Sequence, residues 1–220
     1  MKTKLTLKLI ALFLLPMALA VPGRAAIITW TNVNGGSWSV AANWSPNTVP
    51  GAADDVRITS NGTYTVVMNV SPTISSLTLG GISGLQTLTN TGQTLTVSQA
   101  SLVDTNGILG MNGGTVSGAG TLNVNGLLNW NGGSLGNGGS LTVAANGIMN
   151  LQATVSLSGV LTNQGTVNWL GGNVNINTNA PSFTGTIWNQ AGALFDVQCD
   201  QVMVNGIAFA TFHNAGLLRK

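Results

Sequence analysis

Gly126-Leu-Leu-Asn-Trp-Asn-Gly-Gly-Ser-Leu135 returns 39 residues later as Gly165-Thr-Val-Asn-Trp-Leu-Gly-Gly-Asn-Val174. The two copies share Gly, Asn, Trp, Gly-Gly and an aliphatic residue at matching places. A weaker unit, Gly147-Ile-Met-Asn-Leu151, lies between them, so the period is about half that distance. The glycine that opens each unit marks Gly62, Gly84, Gly107, Gly126, Gly147, Gly165, Gly185 and Gly206, at spacings of 18 to 23 residues. Self-similarity at roughly 20 residues is the signature of a solenoid, in which each coil stacks on the last.

The residues inside a unit say which kind of solenoid. Leu122-Asn-Val124, Leu141-Thr-Val143, Val155-Ser-Leu157, Val167-Asn-Trp169 and Val174-Asn-Ile176 each alternate apolar with polar. A period of two turns one set of side chains inward and the other to solvent. Gly-Gly, Asn-Gly and Ser-Gly separate the runs and supply the backbone freedom of a sharp corner. Twenty residues hold about three short strands and three corners, which is one triangular coil. Gly and Asn are too dense for helix, and no 3.6-residue apolar stripe persists. A sandwich of hairpins is the rival, because Asn-Gly also marks hairpins. Successive strands of a sandwich need not resemble one another, however, and these do. The sequence predicts an all-β, right-handed parallel β-helix of seven or eight coils. Gly126 and Gly165 then share a corner two coils apart.

Working outward from the repeat, residues 1–26 read as an export signal. Lys2, Lys4 and Lys8 precede an apolar run from Leu9 to Ala20, and small residues place cleavage near Ala20 or Ala25. The run is too short to span a membrane, and no later run is longer, so no membrane span is expected in the mature chain. Losing the leader also removes most of the positive charge. Arg57, Arg219 and Lys220, with Arg24 under the earlier cleavage, then face five aspartates, and the mature chain is slightly acidic. Nucleic acid and anionic membranes lose their electrostatic support as partners. Cys199 is the one cysteine and has no internal partner.

Residues 27–60 differ from the coils. Trp30, Trp38 and Trp44 fall within 15 residues, before Val49-Pro-Gly-Ala-Ala-Asp-Asp-Val-Arg-Ile58. The first coil of a solenoid would otherwise expose core and unpaired strand edges, and three indoles suit a cap. Indoles also stack on sugar faces, so glycan contact at Trp30, Trp38 and Trp44 is the functional rival. The coils then occupy 61–220, with threonine-rich early units and a drifting section from 179 where Phe183, Trp188, Phe195, Phe209 and Phe212 replace small aliphatics.

The opening resembles that of bacterial secreted β-helix proteins, namely autotransporter-associated β-strand repeat proteins and exported proteins of the PEP-CTERM type. Gly36-Ser-Trp-Ser39, Asn43-Trp44, Val49 to Ile58 and the strand from Ile74 to Gly80 carry the likeness. An extracellular domain named for its eight glycines has a similar entry. The resemblance implies secreted or cell-surface localisation and a structural or adhesive role. It brings no catalytic residue. The chain lacks the sorting tail of that type, ending simply in Arg219-Lys220.

Catalytic chemistry finds little to work with. General acid–base catalysis needs carboxylates, His, Lys or Tyr placed together. All five acidic residues are aspartate, and there is one His and one Tyr. His213 is far in sequence from Asp54 and Asp55, and the pair Asp196 and Asp200 has no basic residue near it in sequence. The chain therefore reads as non-enzymatic, without cofactor. Gly171-Gly-Asn-Val-Asn-Ile-Asn177 has the look of a calcium-binding nonapeptide but offers Asn where carboxylates are needed. Asp54-Asp55 reads as a turn-forming pair, with calcium as the alternative.

The expected function is an exported structural or adhesin-like cell-surface module. The alternatives are a carbohydrate-binding platform, or a remnant of a polysaccharide-active β-helix protein, with extracellular polysaccharide as partner. A threonine ladder of the ice-binding kind would need Thr-x-Thr on most coils, and the sequence has it only early. Finally, the segment from Gly206 is too short for a full coil, while Ile207, Phe209, Phe212, Leu217 and Leu218 are apolar. It is expected to lie across the open end or to self-associate there.

Overall fold

The computed structural model describes residues 25–136, 138–179, 183–205 and 210–220. The leader up to residue 24 lies outside these, as do Gly206, Ile207 and Phe209. The chain winds as an all-β parallel solenoid of about seven turns. Each full coil lays one strand on each of three flanks, and the strands of a flank pair in parallel and in register.

The first flank runs through Ile27–Trp30, Asp55–Ile58, Ser76–Leu79, Ser101–Val103, Thr121–Val124, Ser140–Val143, Val160–Asn163, Thr186–Asn189 and Thr211–Asn214. Gly36–Ser37, Tyr64–Met68, Gln86–Asn90, Gly107–Met111, Leu127–Trp130, Ile148–Leu151, Thr166–Trp169, Leu194–Val197 and Leu217–Arg219 form the second. Thr73–Ile74, Thr94–Val97, Thr115–Ser117, Gly133–Leu135, Val155–Leu157, Val174–Ile176 and Met203–Asn205 form the third. One further strand, Trp44–Ser45, runs antiparallel to Ile27–Trp30 on the outer edge of the first flank.

The alternation seen in sequence is the alternation of burial. Leu128 and Trp130 both point inward, as do Val167 and Trp169, while the asparagine between each pair faces out. Register stacks like on like. Val66, Leu88, Leu109, Leu128, Met149, Val167 and Phe195 form one inward column, almost entirely shielded from solvent. Each such side chain contributes roughly 1.5–3 kcal/mol of burial relative to an exposed state.

Corner geometry explains the glycines. Register aligns Gly107, Gly126, Gly147 and Gly165 at the corner before the second flank. A Cβ on Gly126 would lie 2.2 Å from the Asp104 carbonyl oxygen, and one on Gly147 2.0 Å from that of Val124. Adjacent coils approach too closely there for any side chain. Gly126 and Gly165 thus share a corner two coils apart, as expected.

The glycine count from sequence needs correction beyond this stretch. The column continues through Ala193 and Gly216, the residues preceding the paired strands at Leu194 and Leu217. Gly185 belongs instead to the corner before the first flank, immediately ahead of Thr186. A small antiparallel ladder, Thr178–Asn179 with Phe183–Thr184, inserts extra residues between those coils. Earlier in the chain Gln86, rather than Gly84, pairs with Gly107. The terminal segment also differs from expectation. Its described part does not lie across the end: Thr211–Asn214 and Leu217–Arg219 extend the first and second flanks in parallel.

Candidate binding surfaces

The indole cluster is built by a reversal of the chain. Trp30 ends the first strand and pairs with Trp44 across the antiparallel edge. Asn43, buried, donates from Nδ2 to the Ser37 carbonyl at 3.0 Å and accepts at Oδ1 from Asn32 Nδ2 at 2.9 Å. It thereby ties the loop 32–37 to the returning strand. Trp44 Nε1 donates to the Trp38 carbonyl at 2.7 Å, and Trp30 Nε1 to that of Asn32 at 2.7 Å. The Trp44 ring meets Trp30 and Trp38 edge-on, at centroid distances of 4.9 and 4.7 Å. Trp30, Trp38 and Trp44 are 0, 0 and 1% exposed. No indole offers a free ring face to a sugar in this arrangement, and the geometry is that of a cap.

The neighbouring aspartates divide their work. Asp54 Oδ2 accepts from the Gly51 amide at 2.8 Å and closes the Val-Pro-Gly turn. Asp55 begins a strand of the first flank and accepts from Ser76 Oγ at 2.7 Å, one coil on. Asp54 alone closes a turn; Asp55 belongs to the flank.

A concavity opens at the corner between the first and second flanks. It measures about 730 Å³ and is lined by Thr59, Ser60, Asn61, Gly80, Gly81, Ile82, Asp104, Thr105 and Asn106. Corner lengths create it, because the loop 80–85 is longer than 104–106. A buried side chain holds that long loop in place. Gln86 accepts from the Gly81 amide at 2.6 Å and donates to the carbonyls of Gly62 and Ser83. Asn106 Nδ2 braces the other side through the Gly81 carbonyl at 2.8 Å. Ile82 stands at the tip, 89% exposed. The groove offers hydroxyls, amides and one carboxylate beside an aliphatic finger. Sequence reading missed it, since its signal is a difference in corner length, visible only once register is known.

At the other end the fold supplies what sequence distance concealed. Arg219, from the last strand, forks onto Asp196 with Nε to Oδ1 at 2.8 Å and Nη2 to Oδ2 at 2.6 Å, and Gln198 Nε2 adds a bond at 2.7 Å. The guanidinium hydrogen bonds hold the Asp196 carboxyl below the usual carboxylate range and push Arg219 up. Lys220 reaches exposed Asp200 at 2.7 Å. Asp196 and Asp200 therefore do have basic partners, and Asp196 acts as an anchor for the last strand. Half-buried Cys199 lies beside them, its carbonyl accepting from Lys220. His213 stacks on Trp188 on the first flank, with ring centroids 3.8 Å apart and planes 11° apart. Among the described residues no three of the metal-ligating His, Cys and Asp side chains come together.

Register also sorts the threonines. Thr65, Thr87 and Thr89 lie on the second flank, whereas Thr94 and Thr96 lie on the third. Among the described residues no flank carries Thr-x-Thr on most coils. The second flank instead carries an asparagine ladder, in which Asn150 donates to Asn129 and Asn168 to Asn150, each at 2.9 Å.

No family model matches the chain, nor does any curated protein or solved structure.

Proposed function

We propose that the protein is an exported structural or adhesin-like module of the cell surface, without catalytic activity, of the autotransporter-associated and PEP-CTERM-exported kind. The observation that carries this reading is the in-register stack itself. Each flank repeats hydroxyl and amide groups at the fixed pitch of adjacent coils, about 4.8 Å, which suits a stiff spacer or contact surface. The leader read in residues 1–26 and the likeness of the opening supply the export half of the proposal. Fractionating cells that produce the full chain tests it, with the mature N-terminus read by mass spectrometry. The expected outcome is surface or medium localisation with a start just after Ala20 or Ala25. Full-length protein confined to the cytoplasm overturns it.

A second reading rests on the corner groove. Its rigid loop, neutral hydrogen-bonding wall and Asp104 suit the hydroxyls of a polysaccharide better than they suit a charged ligand. A glycan array with the purified protein addresses this. Binding should weaken at least tenfold in Asp104→Ala and Asn61→Ala, and a blank array removes the reading.

A further inference from the structure

Nine Asn-Gly pairs recur along the chain, and seven of them lie wholly within the described residues. In such a pair the glycine amide nitrogen can attack the asparagine side-chain carbonyl, because no Cβ blocks its approach. A glycine amide that already donates to a backbone carbonyl is held away from that reaction. Five of the seven are held so. Gly35 donates to the carbonyl of Asn32 at 3.0 Å, Gly62 to Ser83 at 3.2 Å, Gly107 to Asp104 at 2.7 Å, Gly126 to Val103 at 3.1 Å and Gly147 to Ala144 at 2.8 Å. The remaining two, Asn112-Gly113 and Asn131-Gly132, stack one coil apart at the corner between the second and third flanks. Among the described residues neither Gly113 nor Gly132 has an acceptor for its amide. One bond separates these two pairs. Asn131 Nδ2 donates to Asn112 Oδ1 at 2.8 Å, so the Asn112 carbonyl is polarised. Asn131 has its own Nδ2 committed, and its Oδ1 is buried with no donor. Asn112 and Gly113 are exposed, and a Cβ on Gly113 would meet nothing within 4 Å.

We propose that Asn112 is a site of spontaneous deamidation, selected by the Asn131 amide. The Gly113 nitrogen attacks Asn112 Cγ, forming the N–Cγ bond. Negative charge gathers on Oδ1, where the Asn131 Nδ2–H holds it. Collapse breaks the Cγ–Nδ2 bond, and the nitrogen leaves as ammonia with the proton that the Gly113 amide gives up. Water, the one co-reactant, then opens the succinimide at either carbonyl and leaves an aspartyl or an isoaspartyl link. Loss of ammonia makes the change one-way, so it accumulates with the age of the chain. It puts a carboxylate on a corner that carries no charge in either adjacent coil. The isoaspartyl form also adds a methylene to the backbone. That addition follows the Asn112 amide, which donates to the Asn90 carbonyl at 2.7 Å. The second flank therefore stays anchored, and Thr115–Ser117 is the strand that loosens.

Ageing the purified protein at mildly alkaline pH tests this, with peptic digestion at acid pH and mass spectrometry of each Asn-Gly peptide. Asn112 should convert faster than Asn131 and at least about fivefold faster than each of the five tied pairs, a margin worth one ordinary hydrogen bond. In denaturant the pairs should react at similar rates, since their order comes from the fold. Asn131→Ala should slow conversion of Asn112 about fivefold by removing one hydrogen bond. The direction separates a donor from a merely structural residue, because a loosened corner would cyclise faster. The comparison among pairs needs no variant and stands even if Asn131→Ala misfolds. Uniform rates in the folded protein, or a tied pair that leads, overturn the assignment of the site. An Asn112 rate that Asn131→Ala leaves unchanged or raises overturns the role of the donor.

Discussion

The two ends of this solenoid solve the same problem in opposite ways. At the N-terminal end the chain doubles back, laying Trp44–Ser45 antiparallel on the first strand and burying three indoles. At the C-terminal end the last described strands continue in parallel. Leu217 remains 59% exposed, and an apolar recess of about 220 Å³ opens among Trp169, Phe195, Val197, Met203, Phe212 and Leu218. The two-residue edge strand at the N-terminal end leaves little edge to pair, and the indoles beside it cover the core. A parallel strand only moves the edge along by one coil.

The sharpest way to break this comparison is to remove one ring at each end. Trp44→Ala should cost about 3–5 kcal/mol, because it leaves a cavity between two buried indoles and orphans the Trp38 carbonyl. Leu218→Ala should cost about 1 kcal/mol or less, since that side chain is already half in water. Denaturant midpoints of the two variants measure the difference. Equal losses would mean that the cap is no more tightly built than the opposite end.

A second test uses one inward column followed from end to end. It reads Trp30, Ile58, Leu79, Val103, Val124 and Val143, and then changes to Asn163, Asn189 and Asn214. The first six side chains are held by apolar contact. The amides are held by a ladder in which Asn163 donates to Asn189 at 2.8 Å and Asn189 to Asn214 at 2.7 Å. Asn189 also donates to the Leu217 carbonyl at 3.2 Å, tying the last coil at its corner. Asn163 and Asn189 are as fully buried as the aliphatic side chains before them, and there directional bonds replace apolar contact. Asn189→Ala should therefore cost about 2–3 kcal/mol and should loosen Leu217–Arg219 first. Hydrogen exchange that remains uniform along the stack would contradict this division.

Corner and flank glycines give a third, smaller contrast. Gly126→Ala forces a Cβ against two backbone oxygens and should cost about 1–3 kcal/mol. Gly110→Ala meets nothing closer than 3.8 Å and should change stability by less than about 0.5 kcal/mol. Thermal midpoints suffice to compare them. A tolerated Gly126→Ala would show that coils can separate at the corner.

The same glycines mark how far the sequence could be read. From Gly107 to Gly165 the corner demands a residue without a Cβ, so the period was legible and correct. Beyond Gly165 the antiparallel pairing of Thr178–Asn179 with Phe183–Thr184 lengthens one coil, and Ala193 takes the place of a glycine. The next glycine at that spacing, Gly185, serves a different corner. Trp30, Trp38 and Trp44 suggested a cap from their clustering, but the antiparallel edge that buries them has no mark in sequence. Asparagine hid the most. Asn150 on the outer ladder and Asn189 on the inner one are the same letter, and only register reveals which faces the core. The Asp196–Arg219 fork was likewise invisible, because its partners lie 23 residues apart and meet only through the coil between them.

That fork supplies the smallest expected effect and confines it to one end. Arg219 hydrogen bonding holds the Asp196 carboxyl below its ordinary value, so the folded state favours the charged form more than the unfolded chain does. Such a group contributes stability above the ordinary carboxylate value. The contribution is lost as pH falls through the lower, folded value. Protection of Leu217–Arg219 against hydrogen exchange, corrected for intrinsic rates, should therefore fall under acid conditions below the ordinary carboxylate range, while Gln86–Asn90 near the cap stays protected. Arg219→Gln removes the main cause of the shift, so protection should already be lower at neutral pH and the acid-dependent loss should largely disappear. If both ends lose protection together, or if Arg219→Gln keeps the full acid-dependent loss, Asp196 does not anchor the final coil.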